Sequence, residues 1–351
     1  IIEKNQNIFN FFIDKNDNKK DKYCDALNEK LKTHIHSRAL IKIQDGCEQN
    51  CSYCIVPLVR GKYCSIFPQT IVNQVNNSIN EGYDEVVLTG IHIGKYGLGL
   101  QYCENEQIKL SLNISIENGN INLTKLLKIL LFNTSVKRIR LSSIEVNELD
   151  SELIKLIVSS NGRIAPHLHV PLQSGSEKIL KAMNRKYSYS FYIDTIKMLK
   201  LKIPDIAITT DIIVGFPSET DNDFQCTLSA IREAGFSKTH VFKYSKRKNT
   251  AAFDMDFQVD EKVKISRSRM ARKLQDHLRG YYLSKFINRI LRPVCETYDD
   301  KTNIACGTSE NYIKVYFYMN KNDFNFYKSR IIEVSILKKF GDGLFGTVIH
   351  I

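Results

Sequence analysis

From Ala39 onward the chain alternates between two hydrophobic periods. Short apolar runs read as strands at Leu40–Gln44, Glu85–Thr89, Arg138–Ser142, His167–Pro171, Ile206–Val214 and Thr239–Tyr244. Between them, apolar residues recur at three- and four-residue spacing, which predicts helices near Gln69–Asn80, Glu148–Ser159, Ser176–Met183, Tyr189–Leu201 and Asp221–Ala234. Six strand–helix units in succession predict an α/β fold: a parallel sheet with helices outside it, either open or curved into a partial barrel. Ligands bind such sheets at the carboxyl ends of the strands.

The rhythm breaks at Gly97–Asn122, a polar, Gly/Asn-rich stretch that reads as an inserted surface loop. Residues 260–291 carry one long helical pattern. From residue 292 the character changes to short alternating runs, Tyr312–Tyr318, Ile331–Lys338 and Leu344–Ile349, which predict a small all-β domain over 292–351. Residues 1–37, rich in Asn and Lys and without a period, read as a linker or the remnant of a missing N-terminal domain. The first residue is Ile1 rather than Met, which fits a processed or incomplete start.

Composition narrows the function classes. No apolar run approaches the roughly 20 residues of a membrane helix, and no signal peptide is visible, so a cytoplasmic protein without membrane contact is expected. The formal net charge is +12. Between Lys238 and Arg292 stand fifteen Lys/Arg against five Asp/Glu, whereas the stretch from Pro293 balances seven against seven. A polyanionic partner at the junction of the two predicted domains is one reading; a solvated charged helix face is the other.

The chemistry concentrates in Cys47-Glu-Gln-Asn-Cys51-Ser-Tyr-Cys54, directly after the first strand, where Gly46 allows a tight exit. Three of the nine cysteines fall within eight residues. Three thiolates on one loop can hold an iron–sulfur cubane and leave the fourth iron without a protein ligand. The competing reading is structural zinc with Cys64 as a distant fourth thiolate, although closed zinc sites use paired knuckles. His92, His167 and His169 read as buried strand histidines or substrate-side polar groups rather than metal ligands.

The Cys-x3-Cys-x-Tyr-Cys loop resembles the signature of radical S-adenosylmethionine (SAM) enzymes. The wider string from Arg38 through Gly61 is similar to the methylthiotransferases among them. Further matches run in order: Leu88–Gly94, Arg138–Glu145, His167–Ser176, Met183–Tyr187, Asp211–Thr220 and His240–Arg247, so the resemblance spans residues 38–255. The Ile-Gln-Asp-Gly-Cys and Ser-Ser-Ile-Glu strings look most like the branch acting on threonylcarbamoyladenosine in tRNA. The tail after Pro293 resembles the RNA-binding TRAM domain, an OB-like barrel.

The resemblance implies a partial (β/α)6 radical SAM barrel over 38–259, a basic connecting helix over 260–291 and a TRAM-like domain over 292–351. It implies a [4Fe-4S] cluster on Cys47, Cys51 and Cys54 with one open iron that chelates SAM. Electron transfer from the reduced cluster then cleaves a C–S bond of SAM to give a deoxyadenosyl radical. Tyr53, Gly90, Glu145, Gln173, Ser174, Arg185, Ile213 and Gly215 fall where the family contacts SAM. Lys243, Lys246, Arg247, Lys248, Arg269, Arg272 and Lys273, with Lys262, Lys264 and Arg267, are expected to form the surface for a tRNA anticodon stem-loop. The implied reaction is methylthiolation at C2 of N6-threonylcarbamoyladenosine 37, with an external electron donor. Isopentenyladenosine or a ribosomal-protein aspartate are alternative substrates, and a non-catalytic RNA-binding remnant is the alternative class. Oligomeric state is not legible.

Three departures from the family pattern stand out: Cys64 replaces a usual Arg, and Ser218 and Asn249 replace usual glycines. The family's second cluster, used in sulfur delivery, has no ligand set here. Only Cys24 precedes the triad.

Overall fold

A computed structural model describes residues 37–100 and 121–350. The expected linker therefore lies outside the described residues, as does most of the expected surface insertion.

Six parallel strands form the core: β1 (Ala39–Asp45), β3 (Glu85–Gly90), β4 (Arg138–Leu141), β5 (His167–His169), β6 (Ala207–Val214) and β7 (Lys238–Lys243). They stand in chain order, β1-β3-β4 and β5-β6-β7. A two-residue strand β2 (Cys64–Ser65) pairs antiparallel on the free edge of β1. The ladder is interrupted between β4 and β5, where parallel bridges Ile139–Ile164 and Ser143–His169 carry it across. The six-unit reading therefore holds, with a seam in the middle.

Alternation along each strand sorts the side chains. Ile41, Ile43, Val86, Leu88, Ile139, Leu141, Leu168, Ile208 and Ile212 are buried in one apolar core. Their neighbours Gln44, Thr89, Arg140, His169, Asp211 and His240 alternate with them and share the opposite, polar face. A strand with water on neither side would read as a continuous apolar run. These strands alternate, so the inner face is a polar lumen.

The helices on the outer face are α2 (Pro68–Asn80), α3 (Leu123–Asn133), α4 (Ser151–Ser159), α5 (Glu177–Ala182), α6 (Tyr189–Lys202) and α7 (Asp221–Ala234); a short α1 (Val56–Arg60) follows the cysteine loop. Most start on a side-chain cap. Asn122, Asp150, Ser176, Ser188 and Thr220 each accept from a backbone N–H in the first turn, worth about 1 kcal/mol apiece. The periodicity reading omits α3, because Leu123, Leu126, Leu127, Ile129 and Leu130 leave little polar contrast around that helix.

The basic helix α8 (Glu261–Ser284) is shorter than expected and packs along β7, where Thr239 donates to Gln275 at 2.5 Å. The C-terminal part is a six-stranded sheet of β8 (Ile290–Leu291), β9 (Val294–Asp299), β10 (Ile304–Thr308), β11 (Lys314–Tyr318), β12 (Glu333–Phe340) and β13 (Gly343–His350), with one helix, α9 (Lys321–Tyr327). Residues just before β12 pair with the start of β9 through Val294–Ile331 and close the sheet on itself. Since β8 belongs to this sheet, the domain boundary falls before residue 290 rather than at 292. Tyr312 and Ile313, expected in a strand, stand in the β10–β11 loop.

That loop docks on the amino ends of the core strands. Glu85, fully buried, receives Arg138 Nε at 2.5 Å and Arg140 Nε at 2.7 Å. Arg138 Nη1 also donates to the carbonyl of Arg292 at 2.8 Å, and Arg140 to those of Ser309 at 2.9 Å and Glu310 at 3.1 Å. Tyr312 stacks on His167 with centroids 4.2 Å apart, beneath the Arg140 guanidinium at 5.3 Å. Arg38 pairs with Glu296 at 2.9 Å. Burial alone would raise the Glu85 carboxyl, but Arg140 and Arg138 hold it down at about 2. Among the described residues no helix is long and apolar enough to cross a membrane.

Candidate functional site

The cysteine loop leaves the carboxyl end of β1 through Gly46, at φ +73, where a Cβ would sit 1.8 Å from the carbonyl oxygen of Lys62. Only glycine satisfies both demands. The loop is then pinned at several points. Cys47 N donates to Gly61 O at 3.0 Å, and Cys54 N to Cys51 O at 3.0 Å. Ser52 reaches Met183 O through its backbone at 3.1 Å and Ala182 O through its hydroxyl at 2.7 Å, while Asn184 Nδ2 donates to Asn50 O at 2.6 Å. Two distant segments thus position three thiols over the strand ends.

Donors already address the sulfurs. Gln49 N donates to Cys47 Sγ at 3.4 Å, and Arg185 Nη1 to Cys51 Sγ at 3.4 Å. Burial pushes the Cys51 thiol up, against the pull of Arg185; burial also raises Cys54, against a backbone N–H from Val56. An open cleft of about 330 Å³ borders Cys47, Glu48, Asn50 and Pro57. Among the described residues no three metal-ligating side chains enclose a single ion, and Cys64 lies in β2 opposite Asp45, so no closed zinc tetrahedron forms. A cubane makes a different demand, because each thiolate meets its own iron around the cluster. Three soft sulfurs on one loop, with a guanidinium and a backbone N–H directed at two of them, fit that group.

Glu145 and Arg185 come together as an ion pair, and Arg185 Nε also donates to Tyr187 Oη at 3.1 Å. Tyr53 and Ile213 pack on one small apolar cluster with Met183, Phe216 and Tyr244. Gln173 adopts φ +69 and bridges to β6 through its backbone, accepting from Ile213 N at 2.9 Å. Gly90 ends β3 where a Cβ would lie 2.8 Å from Gln44 O, so its smallness serves the packing of Gln44.

Gly215, at φ +72, donates from its N–H to Glu219 Oε2 at 2.7 Å, and a Cβ there would meet Lys264 Cγ at 2.3 Å. Arg267 completes this support, 2.6 Å from the same carboxylate oxygen.

Three expectations are corrected. Ser174 is fully buried, with its hydroxyl 3.3 Å from Thr227 of α7 and accepting from Ser176 N, so its side chain anchors the loop. Lys264 and Arg267 are buried against the Gly215 turn and do not belong to a basic surface. Lys243, Lys246, Arg247, Lys248, Arg269, Arg272 and Lys273 are exposed, although Lys243 is paired with Glu261.

Sequence reasoning missed Gln44, and singled out His92 as a buried or substrate-side histidine without placing it beside the cysteine loop. Gln44, with no exposed surface, accepts from His92 N at 2.7 Å and donates to Gly46 O at 2.9 Å, bracing the start of the cysteine loop. His92 itself stands 3.8 Å from Cys47 Sγ, 3.3 Å from Tyr63 Oη and 2.6 Å from Glu148. Burial alone would lower its pKa; Cys47 and Glu148 raise it to about 9. The available signal was alternation, since Gln44 is the polar end of an inward-facing row.

Residues 41–231 match the sequence profile of the Radical SAM superfamily. A threonylcarbamoyladenosine tRNA methylthiotransferase of Bacillus subtilis is 39% identical over 90% of this chain, which spans 66% of that relative. A tRNA-2-methylthio-N(6)-dimethylallyladenosine synthase of Endomicrobium trichonymphae is 34% identical over 92% of the chain and 71% of the relative. A threonylcarbamoyladenosine tRNA methylthiotransferase of Thermotoga maritima is 35% identical over 81% of the chain and 61% of the relative.

Proposed function

We propose that this chain, which belongs to the radical SAM methylthiotransferase family, is the radical-generating and RNA-holding part of an enzyme that methylthiolates C2 of N6-threonylcarbamoyladenosine at position 37 of tRNA. The observation that carries the reading is the cysteine loop: three thiols over the carboxyl ends of the strands, with Arg185 and Glu145 paired beside Cys51. Cys47, Cys51 and Cys54 would hold the [4Fe-4S] cluster, leaving one iron open for SAM. Tyr53, Gln173, Arg185, Ile213 and the Gly215 turn would seat SAM, with Glu145 orienting Arg185. When bound, the pair supplies one-electron chemistry able to reach an unactivated C–H bond of adenine. The protein's part is to orient both partners and keep water from the lumen.

The exposed cations Arg269, Arg272 and Lys273 on α8, with Lys246, Arg247 and Lys248, would neutralise phosphates of the anticodon stem-loop, and the closed C-terminal sheet would act as the TRAM-like grip. An electron donor of the cytoplasm would reduce the cluster. Sulfur transfer would draw on a second cluster, which the resemblance implies for the family. A dimethylallyl-bearing adenosine is the second reading, supported by the Endomicrobium relative at 34% identity.

Anaerobic reconstitution tests the core of the proposal. Iron and sulfide close to one cubane, and deoxyadenosine released from SAM under reductant, are expected; a folded protein without either would overturn it. Mass spectrometry of tRNA nucleosides from a deletion strain decides between the two adenosines.

A further inference from the structure

The inner face of β7 is furnished for a ligand that nothing described so far uses. Thr239 and Val241 point outward to α8, where Thr239 bonds Gln275 and the carbonyl of Val241 accepts from Arg272 at 3.0 Å. Lys238, His240 and Phe242 therefore share the lumen face. Register with β6 sets them in rows: Lys238 beside Thr209, His240 beside Asp211, and Phe242 beside Ile213. One strand further, His169 joins the lowest row beside Thr209. Rows on one face are about 7 Å apart.

The top row lies next to the proposed SAM site, since Ile213 and Tyr53 pack on the same apolar cluster. Phe242 is 52% exposed there, a large aromatic face open beside the place where the radical would form. Below it the groups are polar and free. His240 makes a ring contact with His169 at 5.9 Å and forms no hydrogen bond among the described residues. Lys238 is half-buried and has neither a hydrogen bond nor an ion pair among the described residues. Burial and the nearby Arg279 depress its pKa. Two carboxylates lie near these groups and both are engaged: Asp342, whose charge acts on Lys238, is held by Lys314 at 2.9 Å, and Asp211 is held by His169, whose Nε2 lies 3.2 Å from Asp211 Oδ2 while its Nδ1 faces Thr209 Oγ1 at 2.9 Å.

An aromatic platform above two unpaired nitrogen donors has a definite complement: a flat base carrying an anionic tail. We propose that Phe242, His240 and Lys238 form the pocket for the target nucleoside, in which Phe242 stacks the adenine and His240 and Lys238 bind a carboxylate on its N6 substituent. This rests on the reading of the chain as a tRNA methylthiotransferase and deepens it, because it places substrate choice on one strand. An aliphatic N6 substituent would leave the Lys238 ammonium desolvated without a partner, so the pocket discriminates by the cost of that unpaired charge.

Binding of anticodon stem-loop RNAs to the reconstituted protein, measured by fluorescence anisotropy, tests the assignment. The RNAs carry adenosine 37 with a carboxylate-bearing threonylcarbamoyl group or with a dimethylallyl group. Wild type is expected to prefer the carboxylate-bearing RNA by about tenfold or more. Lys238→Met and His240→Phe should each bring that ratio towards one, and Lys238→Arg should retain it. A ratio near one in wild type, or an unchanged ratio in both variants with native circular dichroism, would overturn the pocket. Deoxyadenosine release from SAM on the same preparation separates the two levels: cleavage without selectivity sinks the pocket alone, and no cleavage sinks the enzymatic reading beneath it.

Discussion

Arg185 donates through Nη1 to the sulfur of Cys51 at 3.4 Å while its Nη2 pairs with Glu145, so one guanidinium ties the cysteine loop to the segment after β4. Arg185→Met removes the cation and leaves Glu145, 15% exposed, without its partner. Stability should fall by about 1–3 kcal/mol. The SAM dissociation constant of the reconstituted protein, read by calorimetry, should rise about tenfold, and Arg185→Lys should recover only part of it because an ammonium lacks the planar fork.

Gly46 is the exit on which all three thiols depend. Gly46→Ala meets the Lys62 carbonyl and an unfavourable φ together. The loop must shift to accept it. Iron content after reconstitution should drop severalfold, while far-ultraviolet circular dichroism stays native, since the strand pairing of β1 is made before residue 46. Cys226→Ala, on the exposed side of α7, should load iron as the parent does.

Glu85 makes the junction with the C-terminal sheet sensitive to acid. Its folded pKa of about 2 lies below the ordinary 4.5, so its contribution is complete above about 4.5 and is lost as pH falls from there towards 2. The urea midpoint should decline across that window. Glu85→Gln should lose about 3–5 kcal/mol at neutral pH, since Arg138 and Arg140 stay buried without a counter-charge, and should show a flatter decline in acid.

Ser218 and Asn249, where the resemblance leads one to expect glycine, both adopt left-handed backbone, at φ +64 and +66. Asparagine tolerates that region and serine does so poorly. Ser218→Gly should stabilise the protein by about 1 kcal/mol, a rise in Tm of a few degrees by calorimetry. Asn249→Gly should do less.

The outer face of α8 carries the RNA prediction. Replacing Arg269, Arg272 and Lys273 together with Ala should weaken stem-loop binding and reduce the slope of log K against log salt by about 2–3. An unchanged slope would place the RNA elsewhere. Replacing Lys264 or Arg267 tests a different property, because both are buried against the Gly215 turn; the expected readout is weaker SAM binding.

The alternating runs made the six strands and five of the outer helices legible, because each element buries one face and wets the other. Helix α3 escaped for the opposite reason: Leu126, Leu127, Ile129 and Leu130 give it apolar character over most of its circumference, behind a polar stretch that hides its start. The cysteine spacing made the site legible, but not the side chains that hold it. Gln44 and His92 act through contacts with residues about 45 positions apart in the chain, which no local pattern carries. Charge was the poorest guide. Lys264 and Arg267 count towards a basic run exactly as Arg269 does, and only the helical phase against the Gly215 turn separates them.

The docking of the β10–β11 loop bears on how far this protein can be treated as interchangeable modules. Arg138 and Arg140 take carbonyl partners from Arg292, Ser309 and Glu310, and His167 takes the ring of Tyr312. A foreign domain grafted after α8 would inherit these open valences, and only one that reproduced three carbonyl acceptors and a ring would be accepted. The C-terminal sheet is therefore a keyed fitting, cut to these strand ends.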